Sequence, residues 1–537
     1  MSANFTDLVV LTGSANTAGL VLAFSTYVLF GAAALAYTYY SKARSLNVNT
    51  DFFITARNSA NLFKITWSWT AAAMGSWILY TCAFQAPGVN YGINGLVINA
   101  IVTGLPLPLV AHMGDYVRKH VPKASSVTGY AKWRFGRVIQ VLMMLQILQS
   151  LIMGVITEYT TIGGIFLTFF GIQPYIPIIV CGSIVMAYTA AGGFFISIIT
   201  DVWQAILALV MLVVSVIYLG ASFKGFDFPP MDDYLGVTIT GWQAIATLGI
   251  PYMCLTLFSE GFWQRVWAAE NPRVGKIGAW IACGLITIIT FALGFGGTLA
   301  YWSGRASETS NPNLSFFLAF SDGSGTGSVF ITILVIMFAV AINESAVDTA
   351  MNAMTDVITN IATVFGIDLS LNIVRAIVLV VQIPIVIVAS YLASNGTNIL
   401  QIFLFNNQLS TSLFVPIAAG LIPSLNRVIS TFSVVMAIVT SIASVLGLGV
   451  SMYGSLYDGF IAFFWSATYA WQPFVLAPCV ALVALVFWCC IDLGVRKLMG
   501  WDMPNLPFDS LEAEKNRVEL QDQAKELEGE GFKTASN

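Results

Sequence analysis

Six polar side chains, Asn343, Glu344, Ser345, Asp348, Thr349 and Asn352, interrupt an otherwise apolar run. On a helix Ser345, Asp348, Thr349 and Asn352 stand at i, i+3, i+4 and i+7, forming one polar stripe. Hydroxyl, carboxylate and amide oxygens so arranged can hold a small cation, and lipid cannot solvate them, so the stripe is expected to face inward. The plainer alternative is hydrogen bonding between helices with no ion. Glu344 and Asp348 are also neighbours, four residues apart. Two ionised carboxylates there would repel, so one of the pair is expected to hold a proton, which is a route to proton coupling.

A third acid, Asp201, follows Gly192-Gly193 and opens another apolar run. It is either an interfacial carboxylate at a helix start, favoured by the helix dipole, or a functional acid. Asn406, Asn407 and Gln408 form an amide cluster that marks a solute route or an unwound helix. Glu158, late in its run, is expected at the outer interface. His112 and His120 are the only histidines and lack partners at metal-ligand spacing. No nucleophile constellation or phosphate loop accompanies them, so an enzyme, a resident cofactor and a nucleic-acid partner are not expected.

The elements that position these residues must be membrane helices. Of 537 residues 57% are hydrophobic and 9% charged, with mean hydropathy +0.80; soluble domains carry about 25% charged residues. Apolar runs near the roughly 20 residues needed to cross a bilayer recur along the chain. They predict thirteen spans, near 18–40, 65–84, 93–113, 138–165, 174–191, 194–219, 241–258, 277–303, 327–350, 374–393, 399–425, 431–449 and 474–493. The fold class is an all-α polytopic membrane protein. All seven cysteines fall in these spans and are expected to be buried small hydrophobes.

Alternating thirteen spans places every one of the 23 lysines and arginines except Lys224 and Arg305 on one side. Basic residues accumulate on the cytoplasmic face. The amino terminus is therefore expected outside and the carboxyl terminus inside. The sequons at Asn4, Asn313 and Asn395 fall on the expected outer side, and a fourth, at Asn343, lies within a span. Residues 494–537 read as a solvated cytoplasmic tail.

Two spans look interrupted. The second contains Thr70-Ala71-Ala72-Ala73-Met74-Gly75-Ser76, flanked by Trp67, Trp69 and Trp77; the seventh contains Gly249-Ile250-Pro251, followed by Tyr252. Broken membrane helices expose amides and carbonyls that bind ions and solutes, and proline removes a backbone donor. The interruptions lie five spans apart, and five is odd. The halves they head would be inverted copies, spans 2–6 (65–220) and 7–11 (221–425), an inverted 5+5 core. Residues 1–17 would be an extracellular amino terminus, 18–64 the first span with its cytoplasmic loop, and 426–493 spans 12 and 13. Trp69, Trp77, Tyr252, Asn406 and Asn407 are the candidate substrate-binding residues.

Asp51-Phe52-Phe53 with Arg57, Arg134-Phe135-Gly136, Gly192-Gly193 through Asp201 and Gln204, and Gln264-Arg265 with Ala268-Ala269 resemble, in order and spacing, the motifs of the sodium:solute symporter family. That resemblance implies a LeuT-type inverted repeat and coupled uptake of a small solute. It also implies that the carbonyls of Ala71, Met74 and Ile342 and the hydroxyl of Ser345 bind sodium, with Asp201 near the ion path. Ala71, Met74 and Ser345 are the candidate Na+ ligands. One departure stands out: Ala346 follows Ser345 where many members have a second hydroxyl, so Thr349 or Asp348 must compensate or the coupling ion is H+. Trp67-Ser68-Trp69-Thr70-Ala71-Ala72 and Tyr91-Gly92-Ile93-Asn94-Gly95 are most similar to the urea and polyamine transporter branch, which is often proton-coupled. The function expected is Na+- or H+-coupled symport of urea or a similar solute at the plasma membrane. The alternatives are a gradient-independent channel and a transport-dead sensor. No filter motif repeats as a channel would need, and the tail is short for a signalling domain.

Overall fold

In the computed structural model, which describes residues 11–504 apart from 43–49, 87–88, 121–125, 231–235, 308–309, 321–325, 368, 398, 426 and 467–469, the chain is helical nearly throughout. Among the described residues there is no strand, only isolated bridges from Ala60 to Ala269 and Gly92 to Val237. Helices satisfy their backbone groups internally, which a hydrocarbon layer demands. The sequon at Asn4 and most of the tail lie outside the described residues.

In chain order the main helices are α1 (Gly13–Lys42), α2 (Leu62–Ala73), α3 (Gly92–Gly104), α4 (Pro106–His120), α5 (Arg137–Phe170), α6 (Tyr175–Ser222), α7 (Ile239–Ala244) and α8 (Ile250–Leu255). They continue with α9 (Glu260–Ala268), α10 (Pro272–Trp302), α11 (Thr326–Val364), α12 (Leu371–Ser394), α13 (Ile399–Ala418), α14 (Thr431–Tyr453) and α15 (Gln472–Met499). Ten helical stretches of the described residues are long and apolar enough to span a membrane. One of them, α6, is two helices joined across Gly193, whose φ of 64° and ψ of −161° fit no helix. A Cβ at Gly193 would also fall 2.5 Å from the carbonyl oxygen of Phe53, so backbone and space both call for glycine.

The second expected span is truly divided. α2 ends at Ala73; Met74, at φ −99° and ψ 117°, and Gly75 are extended, and a 3-10 helix runs from Ser76 to Gln85. The seventh expected span differs from the reading of its sequence. It is not unwound at Gly249-Ile250-Pro251 but widened into a π turn, Ile245–Gly249, between α7 and α8. Pro251 has no N–H for the carbonyl four residues back, and the N–H of Ile250 instead reaches the Ile245 carbonyl, five back.

α11 packs against both α2 and the 3-10 helix, against α5, and most extensively against α6, so it lies at the centre of the bundle. Large apolar side chains such as Leu29, Ile217, Ile387 and Val483 stay exposed on the outer faces of α1, α6, α12 and α15, as a lipid-facing surface requires. Cys479 and Cys490 on α15 are exposed too, contrary to the expected burial of every cysteine, because that helix packs on the bundle by one face only.

The basic loops meet at one end. Arg118 donates to the carbonyls of Val266 and Ala269 and to the side chain of Asn58. Lys276 pairs with Asp115 at 2.8 Å, and Arg375 lies over the Phe53 ring. At the other end Arg305 binds the carbonyls of Ser222 and Ala319.

Candidate functional site

Two buried acids join the divided second span to α11. On α2 the hydroxyl of Ser68 donates to Asp201 Oδ2 at 2.7 Å, and on α11 the hydroxyl of Ser345 donates to Oδ1 at 2.7 Å. Arg265 of α9 closes the cluster: one terminal nitrogen lies 2.6 Å from Asp201 Oδ2 and 3.1 Å from the Thr349 hydroxyl. Its remaining donors reach the carbonyls of Ser68, at 2.8 Å, and Gly261, at 2.6 Å. Asp201 and Arg265 are both fully buried. Asp201 is therefore neither interfacial nor an isolated charge; an arginine that carries the family-like Gln264-Arg265 motif neutralises it.

The second acid is Glu158, and its position corrects the reading from sequence. Glu158 is buried inside the bundle rather than set at the outer interface. Its Oε2 accepts from the Ser76 N–H at 2.8 Å, the Ser76 hydroxyl at 2.7 Å and the Asn343 amide at 3.0 Å. It caps the 3-10 helix where the second span restarts, a helix N-terminus that favours negative charge. Gly75 makes room: a Cβ there would fall 1.8 Å from Glu158 Oε1 and 2.7 Å from Trp77 Cδ1. Asn343 is held in turn, since its Oδ1 accepts from Tyr27 at 3.0 Å and Cys181 at 3.3 Å. Asn343 is thus a fixed donor in the core.

The stripe on α11 faces inward as expected. Ser345, Asp348, Thr349 and Asn352 are all buried, and Asp348 accepts from Asn352 at 2.7 Å and from Thr200 at 3.3 Å. Ile342 is buried one turn earlier, while Ala71 and Met74 are buried at the end of α2. Met74 N–H still reaches the carbonyls of Thr70 and Ala71, both at 3.2 Å, so the helix frays there before the chain extends. Glu344 is fully buried, and neither of its oxygens is hydrogen-bonded within the protein.

The candidate substrate residues divide. The rings of Trp77 and Tyr252 face each other at 6.4 Å, in an aromatic cluster with Phe84, Tyr91 and Phe474. Asn406 and Asn407 are buried on α13, the helix against which α8 packs. Both amide atoms of Asn407 lack a hydrogen-bond partner in the protein. Trp69 stands apart: it packs on Phe262 of α9 and borders a crevice with Asp115 and Arg118, at the basic-loop end. Seven residues, with the helix break among them, separate it from Trp77, and the two rings pack on different partners. Asn313, the sequon expected on the outer surface, is buried.

Outside the spans, Glu260 is buried at the start of α9, where Ser126 donates to it at 3.1 Å. Burial and the neighbouring Asp356 carboxyl push its acid well above the ordinary carboxylate range. Among the described residues no group of three or more His, Cys, Asp or Glu is set to hold a metal ion.

The family model described as "Sodium:solute symporter family" matches residues 52–249. A spermidine transporter of Candida albicans, DUR31, is 26% identical over 455 residues, covering 79% of this chain and 81% of the relative. Among solved structures, a Na+-coupled sialic acid symporter in a substrate-bound outward-open state superposes with TM-score 0.62 at 19% identity, covering 88% of this chain and 98% of that one. Mhp1, a nucleobase-cation-symport-1 family transporter, gives TM-score 0.52 at 13% identity, covering 88% and 99%. These likenesses show the LeuT-type fold.

Proposed function

We propose, from the match of residues 52–249 to that family's model, that the chain is a sodium:solute symporter and that it moves a small polar solute across the membrane in symport with Na+ or H+. The observation that carries this reading is the extended backbone at Met74–Gly75, packed in the bundle core against the buried polar face of α11. A cation there would be held by the carbonyls of Ala71, Met74 and Ile342 and by the hydroxyl of Ser345, with Thr349 and Asp348 one turn further along α11. Ser345 donates its proton to Asp201, which leaves its oxygen lone pairs for an ion. Under proton coupling, the carrier is the unbonded carboxyl of Glu344.

Trp77, Tyr252, Asn406 and Asn407 line the solute's place between the divided second span, α8 and α13. Urea is the solute suggested by the Trp67–Ala72 and Tyr91–Gly95 segments, and spermidine is the one suggested by the Candida relative. The basic loops joined at one end support an amino terminus outside and a carboxyl terminus in the cytoplasm, in the plasma membrane.

Initial uptake of labelled urea and labelled spermidine into proteoliposomes, under an inward Na+ gradient and separately an inward H+ gradient, tests the reading. Saturable uptake of one solute accelerated by one gradient is expected. Flux that ignores both gradients and grows linearly with concentration would mark a channel, and no flux at all would leave a sensor.

A further inference from the structure

We propose that Glu158 selects the solute: its carboxylate receives a protonated amine, and Trp77 and Tyr252 wall the same position. The proposal rests on the symport reading and narrows it to solutes carrying an ammonium group.

Glu158 lies in the centre of the bundle, and every hydrogen bond to its Oε2 comes from a neutral donor: the Ser76 N–H, the Ser76 hydroxyl and the Asn343 amide. None of the ion pairs among the described residues includes it. The buried guanidinium of Arg265 is committed to Asp201. The N-terminus of the 3-10 helix supplies only about half a unit of positive charge. A buried carboxylate held only by dipoles is balanced by a proton or by an arriving cation, and a protonated amine is a cation that can take the proton's place.

The surroundings define which cation. The Cβ position at Gly75 is 1.8 Å from Glu158 Oε1 and 2.7 Å from the Trp77 indole carbon Cδ1, so carboxylate and indole border one point. The Trp77 ring faces that of Tyr252 at 6.4 Å. A carboxylate beside an indole that itself packs on a tyrosine ring suits an organic ammonium group, which charge and aromatic rings both attract. A bare metal ion would find oxygen ligands on one side only. Asn343, locked by Tyr27 and Cys181, keeps its amide donors on Glu158 and cannot turn its oxygen toward the amine. Recognition therefore falls to the carboxylate.

Purified protein in detergent, titrated with labelled spermidine and labelled urea, separates this proposal from the transport reading, because binding is scored without flux. Glu158→Gln keeps the shape and an acceptor oxygen but loses the charge. The expected result is a fall of tenfold or more in the spermidine-to-urea affinity ratio. Glu158→Asp should retain part of the preference, and Trp77→Leu should lower spermidine affinity several-fold. An unchanged ratio in Glu158→Gln overturns the proposal, as does equal weakening for both solutes, which would mark a purely structural cap. Wild-type protein that does not bind spermidine also overturns it. If Glu158→Gln fails to fold, the ratios in Glu158→Asp and Trp77→Leu decide. Binding that behaves as expected in a protein without gradient-driven uptake leaves this assignment standing and removes the symport reading.

Discussion

Glu158 and Asp201 are both buried carboxylates, and both tie a half of the divided second span to α11, yet their charges are handled in opposite ways. Asp201 holds the α2 half through Ser68 and is matched by a guanidinium 2.6 Å away. Glu158 holds the 3-10 half through Ser76 and is met by neutral donors. The first behaves as a closed joint whose charge is already used. The second has no cationic side chain to balance it, so its charge is left to a proton or to an arriving cation. The half toward the basic loops is thus fastened by an ion pair, while the half beyond the break is fastened by neutral donors alone, which is what the proposed amine site requires.

The largest effect should come from opening the closed joint. Arg265→Ala leaves Asp201 buried and uncompensated, at a cost of about 3–5 kcal/mol. Strongly reduced folded yield in membranes is expected, with thermal unfolding in detergent as the check. Adding Asp201→Leu should recover much of that loss, and a double variant no better than the single one would break the contrast.

Gly75→Ala tests the other half. Its Cβ would overlap Glu158 Oε1, so the carboxylate or the 3-10 helix must shift, at about 1–3 kcal/mol. Solute uptake should fall far more than folded yield; proportionate losses would mean that the break is only a packing feature. Ser345→Ala is expected to raise the cation concentration for half-maximal uptake by roughly tenfold, equivalent to about 1.4 kcal/mol. Unchanged cation dependence would discard Ser345 as a ligand. Ser68→Ala removes one of three donors to Asp201 and should cost only about 1 kcal/mol, leaving cation dependence intact.

A third buried acid gives a control for pH. The raised Glu260 is protonated in the folded protein over a range where the unfolded chain is ionised. Its stabilising contribution is therefore full below the ordinary value of 4.5 and is lost as pH rises through the folded value. Thermal stability should decline across that window, and Glu260→Gln should flatten the decline.

Much of the architecture was legible because lipid imposes simple rules. Apolar length located the membrane helices, though thirteen spans were expected and ten helical stretches of the described residues are long and apolar enough to cross, the pair joined at Gly193 counting as one; the placement of lysine and arginine gathered the loops that do meet at one end. The break at Met74–Gly75 was visible as a run of small residues, and the inward face of α11 followed from helical spacing. Glu158 was misplaced because distance along a helix does not reveal which neighbour's end it faces; α5 continues about three turns beyond it, to Phe170. A lone carboxylate in a long apolar run was the available signal. Arg265 lay in a motif, but its pairing with Asp201 spans 64 residues of sequence and depends on tertiary packing. Trp69 and Trp77 looked equivalent because both flank the interruption; the extended backbone between them sends them to different neighbours, Phe262 and Tyr252. At the seventh span the proline was legible, but not that a π turn could absorb it.

The most direct test of the account is accumulation. Proteoliposomes with the membrane potential clamped at zero would be given labelled solute at equal concentration inside and out, and then an inward gradient of Na+ or of H+. Symport predicts a transient rise of internal solute above the external level with one of the two cations, reduced in Ser345→Ala. Internal solute that stays at the external level under both gradients, while exchange of label remains rapid, would contradict it.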